Sequence, residues 1–135
     1  MFNIRDKITL SLIFINVLFL FYFSFQLLIL TDEFALKNLG FFNHAVAGLS
    51  EIIGIIFFCL GLGLISVIIR GSNNQFPLFS TIFLMEAIIS LNFWRYVITN
   101  SPGETNIETI TLNAYLFSLM SFLTLIIIVR QKKII

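Results

Sequence analysis

This sequence predicts an all-α protein, an integral membrane four-helix bundle with both termini on the same side. Three observations predict it. The chain of 135 residues is 59% hydrophobic and 11% charged, whereas a soluble domain carries about 25% charged residues. Its charges are grouped, leaving four apolar stretches long enough to cross a bilayer. The second stretch also carries small and polar residues at helical spacing, a face suited to cover by another helix.

The first span is expected over residues 8–30. Ile8 to Leu30 holds no charge and extends to roughly 34 Å as a helix, enough to cross with some tilt. It is too long for a signal-peptide core, and Thr31, Asp32 and Glu33 follow it instead of a small-residue cleavage site. Asn16 lies inside it, placed for a hydrogen bond to another helix or for a ligand contact. Thr31 to Phe42 reads as a short surface helix or an irregular loop. As a helix it would be capped by Thr31, closed by Gly40 and anchored by Phe34, Leu36, Leu39 and Phe41.

The second span, about residues 41–69, carries the stripe His44, Ala47, Gly48, Glu51, Gly54, Phe58, Gly61, Ile65. Steps of three and four place these residues on one helix face, where small side chains admit a neighbouring helix. Arg70 and Gly71 end the span. The third span, about 77–98, begins with Pro77 in its first turn and contains Glu86, Asn92 and Arg95. Each buried charge costs about 2.5–3.5 kcal/mol on insertion scales, a load comparable to what the apolar residues recover. This helix needs partners. Ser101-Pro102-Gly103-Glu104 suits a type II turn, and Thr105 with Glu108 forms a capping box for the fourth span, about 107–129. Thr111, Ala114, Ser118, Ser121 and Thr124 give that span a small, mildly polar face.

Orientation is read from the basic residues. Arg5, Lys7, Arg70, Arg130, Lys132 and Lys133 belong to the two ends and the middle loop, while the other loops hold only Lys37 among acids. Both termini are expected in the cytoplasm, in a bacterial inner membrane.

Glu51 and Arg95 are expected to meet as an intramembrane ion pair. Their antiparallel helices lean the two side chains toward each other. The pair would be a structural clamp, or part of a polar outer pocket with His44 and Asn92 for a headgroup, quinone or small solute. Glu86 is nine residues before Arg95 and points the other way, toward the membrane centre with no obvious cation. It is a candidate buried acid held neutral, or it faces another subunit or a water-filled path. Ala47, Gly48, Gly54, Gly61, Ser118 and Ser121 are the candidate helix-packing positions.

Several classes find no support. The net charge of +1 and the lack of a basic face with interleaved aromatics argue against nucleic acid. The single Cys59 forms no disulfide within the chain, and one histidine without a second strong ligand makes no metal site. There is no HExxH, GxSxG or CxxC, and Gly61-Leu62-Gly63 lies on a span without phosphate-loop context. No catalytic residue or resident cofactor is implied, though a bound lipid or quinone is compatible.

In layout the chain resembles small bacterial four-span membrane proteins near the DoxX-like group. The likeness rests on the polar, Gly-containing start of span two (His44 to Gly54), Arg95 before a Ser-Pro-Gly turn, and the basic end after span four. It implies architecture more than activity. The expected role is a non-catalytic accessory or structural subunit of a larger membrane complex. Its partners would be the bilayer and other membrane subunits or further copies of the chain. The alternative is a small oligomeric transporter or channel using Glu86 or a Glu51–Arg95 site.

Overall fold

Side-chain caps start three of the five helices, and the computed structural model describes residues 4, 6–100 and 106–132. Asp6 caps α1 (Lys7–Leu28), its Oδ1 accepting from the Ile8 N–H at 3.2 Å. The second helix, α2 (Thr31–Leu39), is the expected surface helix, and Gly40 ends it at φ 74°. Thr31 does not cap it. Its hydroxyl instead donates to the Leu27 carbonyl at 2.6 Å, satisfying an orphan acceptor at the end of α1.

Asn43 starts α3 (His44–Arg70), its Oδ1 accepting from the Val46 N–H at 2.9 Å. The helix therefore begins after the Phe41 expected from hydropathy. Gly71 closes it at φ 107°, where a side chain would be strained. Pro77 sits in the first turn of α4 (Phe76–Thr99). Asn106 starts α5 (Ile107–Lys132) by accepting from the Glu108 and Thr109 N–H groups at 3.0 and 3.3 Å. The expected Ser101–Glu104 turn and Thr105 lie outside the described residues.

Four of these helices are long and apolar enough to cross a membrane: α1, α3, α4 and α5. Large apolar side chains such as Leu18, Ile55, Leu91 and Leu119 lie exposed on their outer faces, the surface an integral membrane protein presents to lipid.

The helices associate as two close pairs, α1 with α3 and α4 with α5, joined where α1 meets α5. The consecutive helices α3 and α4 do not pack along their lengths. At the centre, Phe117 of α5 meets Phe19 and Phe23 of α1 at ring-centroid distances of 5.0 and 4.7 Å. It also stacks on Phe93 of α4 at 5.7 Å. Such pairs contribute about 0.5–1.5 kcal/mol each beyond area burial.

The α1–α3 seam follows Ser50, Gly54, Phe57, Gly61, Leu64 and Ile68. It shares Gly54 and Gly61 with the expected stripe but is rotated away from Glu51. Ser24 donates across this seam to the Gly54 carbonyl at 2.9 Å. A side chain begun at Gly61 would meet the Phe21 ring at 3.1 Å, whereas at Gly48 nothing lies within 4 Å. Ala47 is half-buried beside Gly48.

One end of the bundle gathers the start of α1, the loop after α3 and the end of α5. Arg130 donates to Asp6 Oδ2 from Nε at 3.0 Å and from Nη2 at 2.8 Å. Gln131 donates to the Ser72 carbonyl at 3.1 Å. The Thr9 hydroxyl, then Arg130, hold the Asp6 carboxyl down at about 2 from its usual value of 3.8. With a lowered native value, this contribution is complete above the unfolded carboxylate value of about 3.9. It is expected to disappear as pH falls through about 2. Carboxyl carbon chemical shifts in detergent micelles would check this. A midpoint for Asp6 near 4 would show that the Thr9 and Arg130 contacts do not hold in solution.

Candidate functional site

The polar groups of the membrane core fall at successive levels along α5. Near one end, Asn113 donates to Asn38 of α2 at 2.7 Å, and both are buried. Next, the Ser118 hydroxyl lies 2.6 Å from that of Ser90 and accepts from the Trp94 indole at 3.0 Å. Ser121 donates to the Ser118 carbonyl at 3.0 Å. The Ser90 and Trp94 contacts join α4 to α5 at Ser118, whereas the Ser121 bond stays within α5.

The third level holds the acid. Phe79, Ile82, Glu86 and Ser90 recur at three- and four-residue steps and form the buried face of α4. Glu86 is 0% exposed. Its Oε2 lies 2.8 Å from Thr124 Oγ1 on α5, which lies 2.9 Å from Asn16 Oδ1 on α1. Thr124 Oγ1 is also 3.0 Å from the Met120 carbonyl of its own helix. The Asn16 amide donates to the Leu12 carbonyl at 3.1 Å, which fixes the carbonyl oxygen of that side chain toward Thr124. The second carboxyl oxygen, Oε1, is buried without a hydrogen-bond partner. Glu86 is thus a buried acid inside the bundle, not on a face available to a partner.

A cleft of about 520 Å³ is lined mainly by α3 and α4, with Phe34, Asn38 and Leu39 of α2 also on its wall. Leu49, Ile53 and Phe93 make its walls apolar, while Asn38, Ser50 and Asn100 supply polar groups. It exists because α3 and α4 do not pack along their lengths. Its shape and lining suit an amphiphile or an acyl chain.

The expected Glu51–Arg95 ion pair is not formed. Both side chains are exposed, and the ion pairs among the described residues are Lys37–Glu33 and Asp6–Arg130. The expectation made consecutive antiparallel helices neighbours, but α1 and α5 occupy the middle of the bundle. Arg95 lies over the Tyr96 ring, 4.9 Å from its centroid. His44 and Asn92 are exposed and are not among the cleft-lining residues, and the Asn92 amide donates to the Ile88 carbonyl at 3.2 Å. His44 and Asn92 thus stand outside this cleft. Among the described residues, no three His, Cys, Asp or Glu side chains converge as a metal site would require.

Fold and site together define an all-α integral membrane protein with a polar core closed by α1, α4 and α5. No family model matches the sequence, and no curated protein or solved structure is significantly similar to it. The comparisons therefore identify no family, and the DoxX-like resemblance gains no support from them.

Proposed function

We propose that this protein is a non-catalytic accessory or structural subunit of a larger membrane complex. The supporting observation is Glu51. It lies exposed on α3, seven residues after His44, or about 10 Å into the span at ~1.5 Å per residue. A charge facing lipid costs about 2.5–3.5 kcal/mol at the helix centre and less toward the interface, so Glu51 carries part of that cost. A second polypeptide that supplies a cation or hydrogen-bond donors removes that exposure. Exposed Arg95 and Asn92 on α4 extend the polar outer surface.

The end that gathers Lys7, Arg70 and Arg130 faces the cytoplasm in this reading, by the bias of basic residues. The host membrane is a bacterial inner membrane. Crosslinking with a photoreactive residue at position 51, at native expression, tests the proposal. An adduct to a different polypeptide is expected from position 51 and not from the exposed apolar position Leu62. Adducts only to lipid at both positions would overturn the reading.

The buried Glu86 favours the second reading, an oligomeric transporter or channel. A homogeneous homo-oligomer whose proteoliposome flux is lost in Glu86→Gln would put it in place of the first. A conducting protein also needs a route to Glu86, which is fully enclosed.

A further inference from the structure

We infer that Glu86, Thr124 and Asn16 form a proton-binding site in the membrane core, with the Glu86 carboxyl held as the neutral acid. The argument is a count of hydrogens. Thr124 Oγ1 lies 2.8 Å from Glu86 Oε2 and 2.9 Å from Asn16 Oδ1. Two oxygens at such separations require a hydrogen between them. Counting the Met120 carbonyl at 3.0 Å, three oxygens converge on Thr124 Oγ1; its one hydroxyl hydrogen can be shared between two of them, and the third contact needs another.

Asn16 cannot supply the other. Its NH2 group is turned to the Leu12 carbonyl, and reversing the amide would set two carbonyl oxygens face to face. The Met120 carbonyl only accepts. The carboxyl of Glu86 is the remaining carrier. The hydrogen bonds then run in one direction. Glu86 Oε2–H donates to Thr124 Oγ1, Thr124 shares its hydrogen between Asn16 Oδ1 and the Met120 carbonyl, and Asn16 donates to the Leu12 carbonyl.

This assignment also accounts for the unpartnered oxygen. Glu86 Oε1 becomes the carbonyl oxygen of an acid, far less costly to bury than an unpaired carboxylate oxygen. Among the described residues, no charge is set against the carboxyl. The side chains meeting it from α5 and α1 are Thr124 and Asn16, both uncharged. On α4, Arg95 is exposed; on α3, His44, Glu51 and Cys59 are exposed; Asp6 and Arg130 pair at the helix ends.

The ligand is a proton and not a metal ion. Glu86 is the one carboxylate of the cluster, and among the described residues no group of three His, Cys, Asp or Glu assembles to balance and ligate a divalent cation. Releasing the proton to water leaves one hydroxyl hydrogen to serve the carboxylate, the Asn16 oxygen and the Met120 carbonyl, so one interhelical link breaks. The site is a proton-linked latch joining α1, α4 and α5.

Isotope-edited infrared spectroscopy of the full chain in lipid at neutral pH tests the assignment. The expected result is a neutral carboxylic-acid C=O band, shifted by carboxyl-¹³C glutamate, lost in Glu86→Gln and retained in Glu51→Gln. A spectrum with only glutamate carboxylate bands would overturn the inference, as would a neutral band that survives Glu86→Gln. If Glu86→Gln does not fold, the labelled wild type decides. Absence of the band overturns the inference, and persistence of the band through replacement of Glu33, Glu51, Glu104 and Glu108 by Gln assigns it to Glu86. Loss of the band when choline is replaced by sodium would overturn the proton in favour of a metal ion. None of these outcomes depends on what position 51 crosslinks to.

Discussion

Thr124→Val is expected to destabilise the bundle by about 2 kcal/mol or more, several times the effect of deleting a single interhelical hydrogen bond. An average interhelical hydrogen bond in a membrane protein contributes only about 0.6 kcal/mol, because the unfolded chain in the bilayer finds other partners. Thr124 differs because its hydroxyl links Glu86 of α4 and Asn16 of α1 at once. Valine keeps the shape and removes both links. It leaves the Glu86 carboxyl with neither oxygen partnered, since Oε1 has no partner even in the wild type. An orphaned buried polar group costs about 1–3 kcal/mol. The comparison is Ser24→Ala, which deletes the one bond to the Gly54 carbonyl. Unfolding in mixed micelles of increasing SDS fraction reads both variants. Equal losses for the two would mean that Thr124 is not a hub.

The second large effect belongs to Gly54, because it separates packing from helix propensity. A Cβ at Gly54 would stand 2.8 Å from Leu28 Cγ and 3.0 Å from Leu27 Cβ, closer than atoms in contact approach. The Leu27 atom adjoins the backbone of α1, so relief requires the helices to separate. Separation also lengthens the Ser24 bond to the Gly54 carbonyl. Overpacking of this kind costs about 1–3 kcal/mol, and Gly54→Val is expected to fall in the upper half of that range. Gly48→Val is the control, on the same helix and with open space around the same added atoms. It is expected to unfold within about 0.5 kcal/mol of wild type, as surface substitutions do. A Gly48→Val loss as large as that of Gly54→Val would show that close approach of α1 is not what the glycine provides.

Legibility differed by the range of the interaction. Hydropathy marks the spans, and Gly40, Gly71 and Pro77 mark ends where the structure has them. Asn43 and Asn106 were passed over as caps because a hydropathy run gives no sign of which flanking polar residue turns back on the helix. Thr31 was misassigned because its hydroxyl can serve a helix behind it as readily as one ahead. Asn16, Glu86 and the Thr124 face each stood out as polar groups in apolar spans, but nothing in their spacing joins three residues from three helices.

The sequence by itself determined four apolar rods, their approximate ends, and the need to shelter the polar groups inside them, because length, hydropathy and desolvation cost act residue by residue. Only the tertiary structure decided which rods touch. Of the contacts a ring of sequential spans would make, α1–α3, α4–α5 and α1–α5 form while α3 and α4 stay apart along their lengths; Glu86 is enclosed, and Glu51 and Arg95 are left apart on the outside. The reason is physical: lipid tails are as apolar as the helix surfaces, so pairing depends on close fit at Gly54 and Gly61 and on a few hydrogen bonds, and these exist only once the partners are in place.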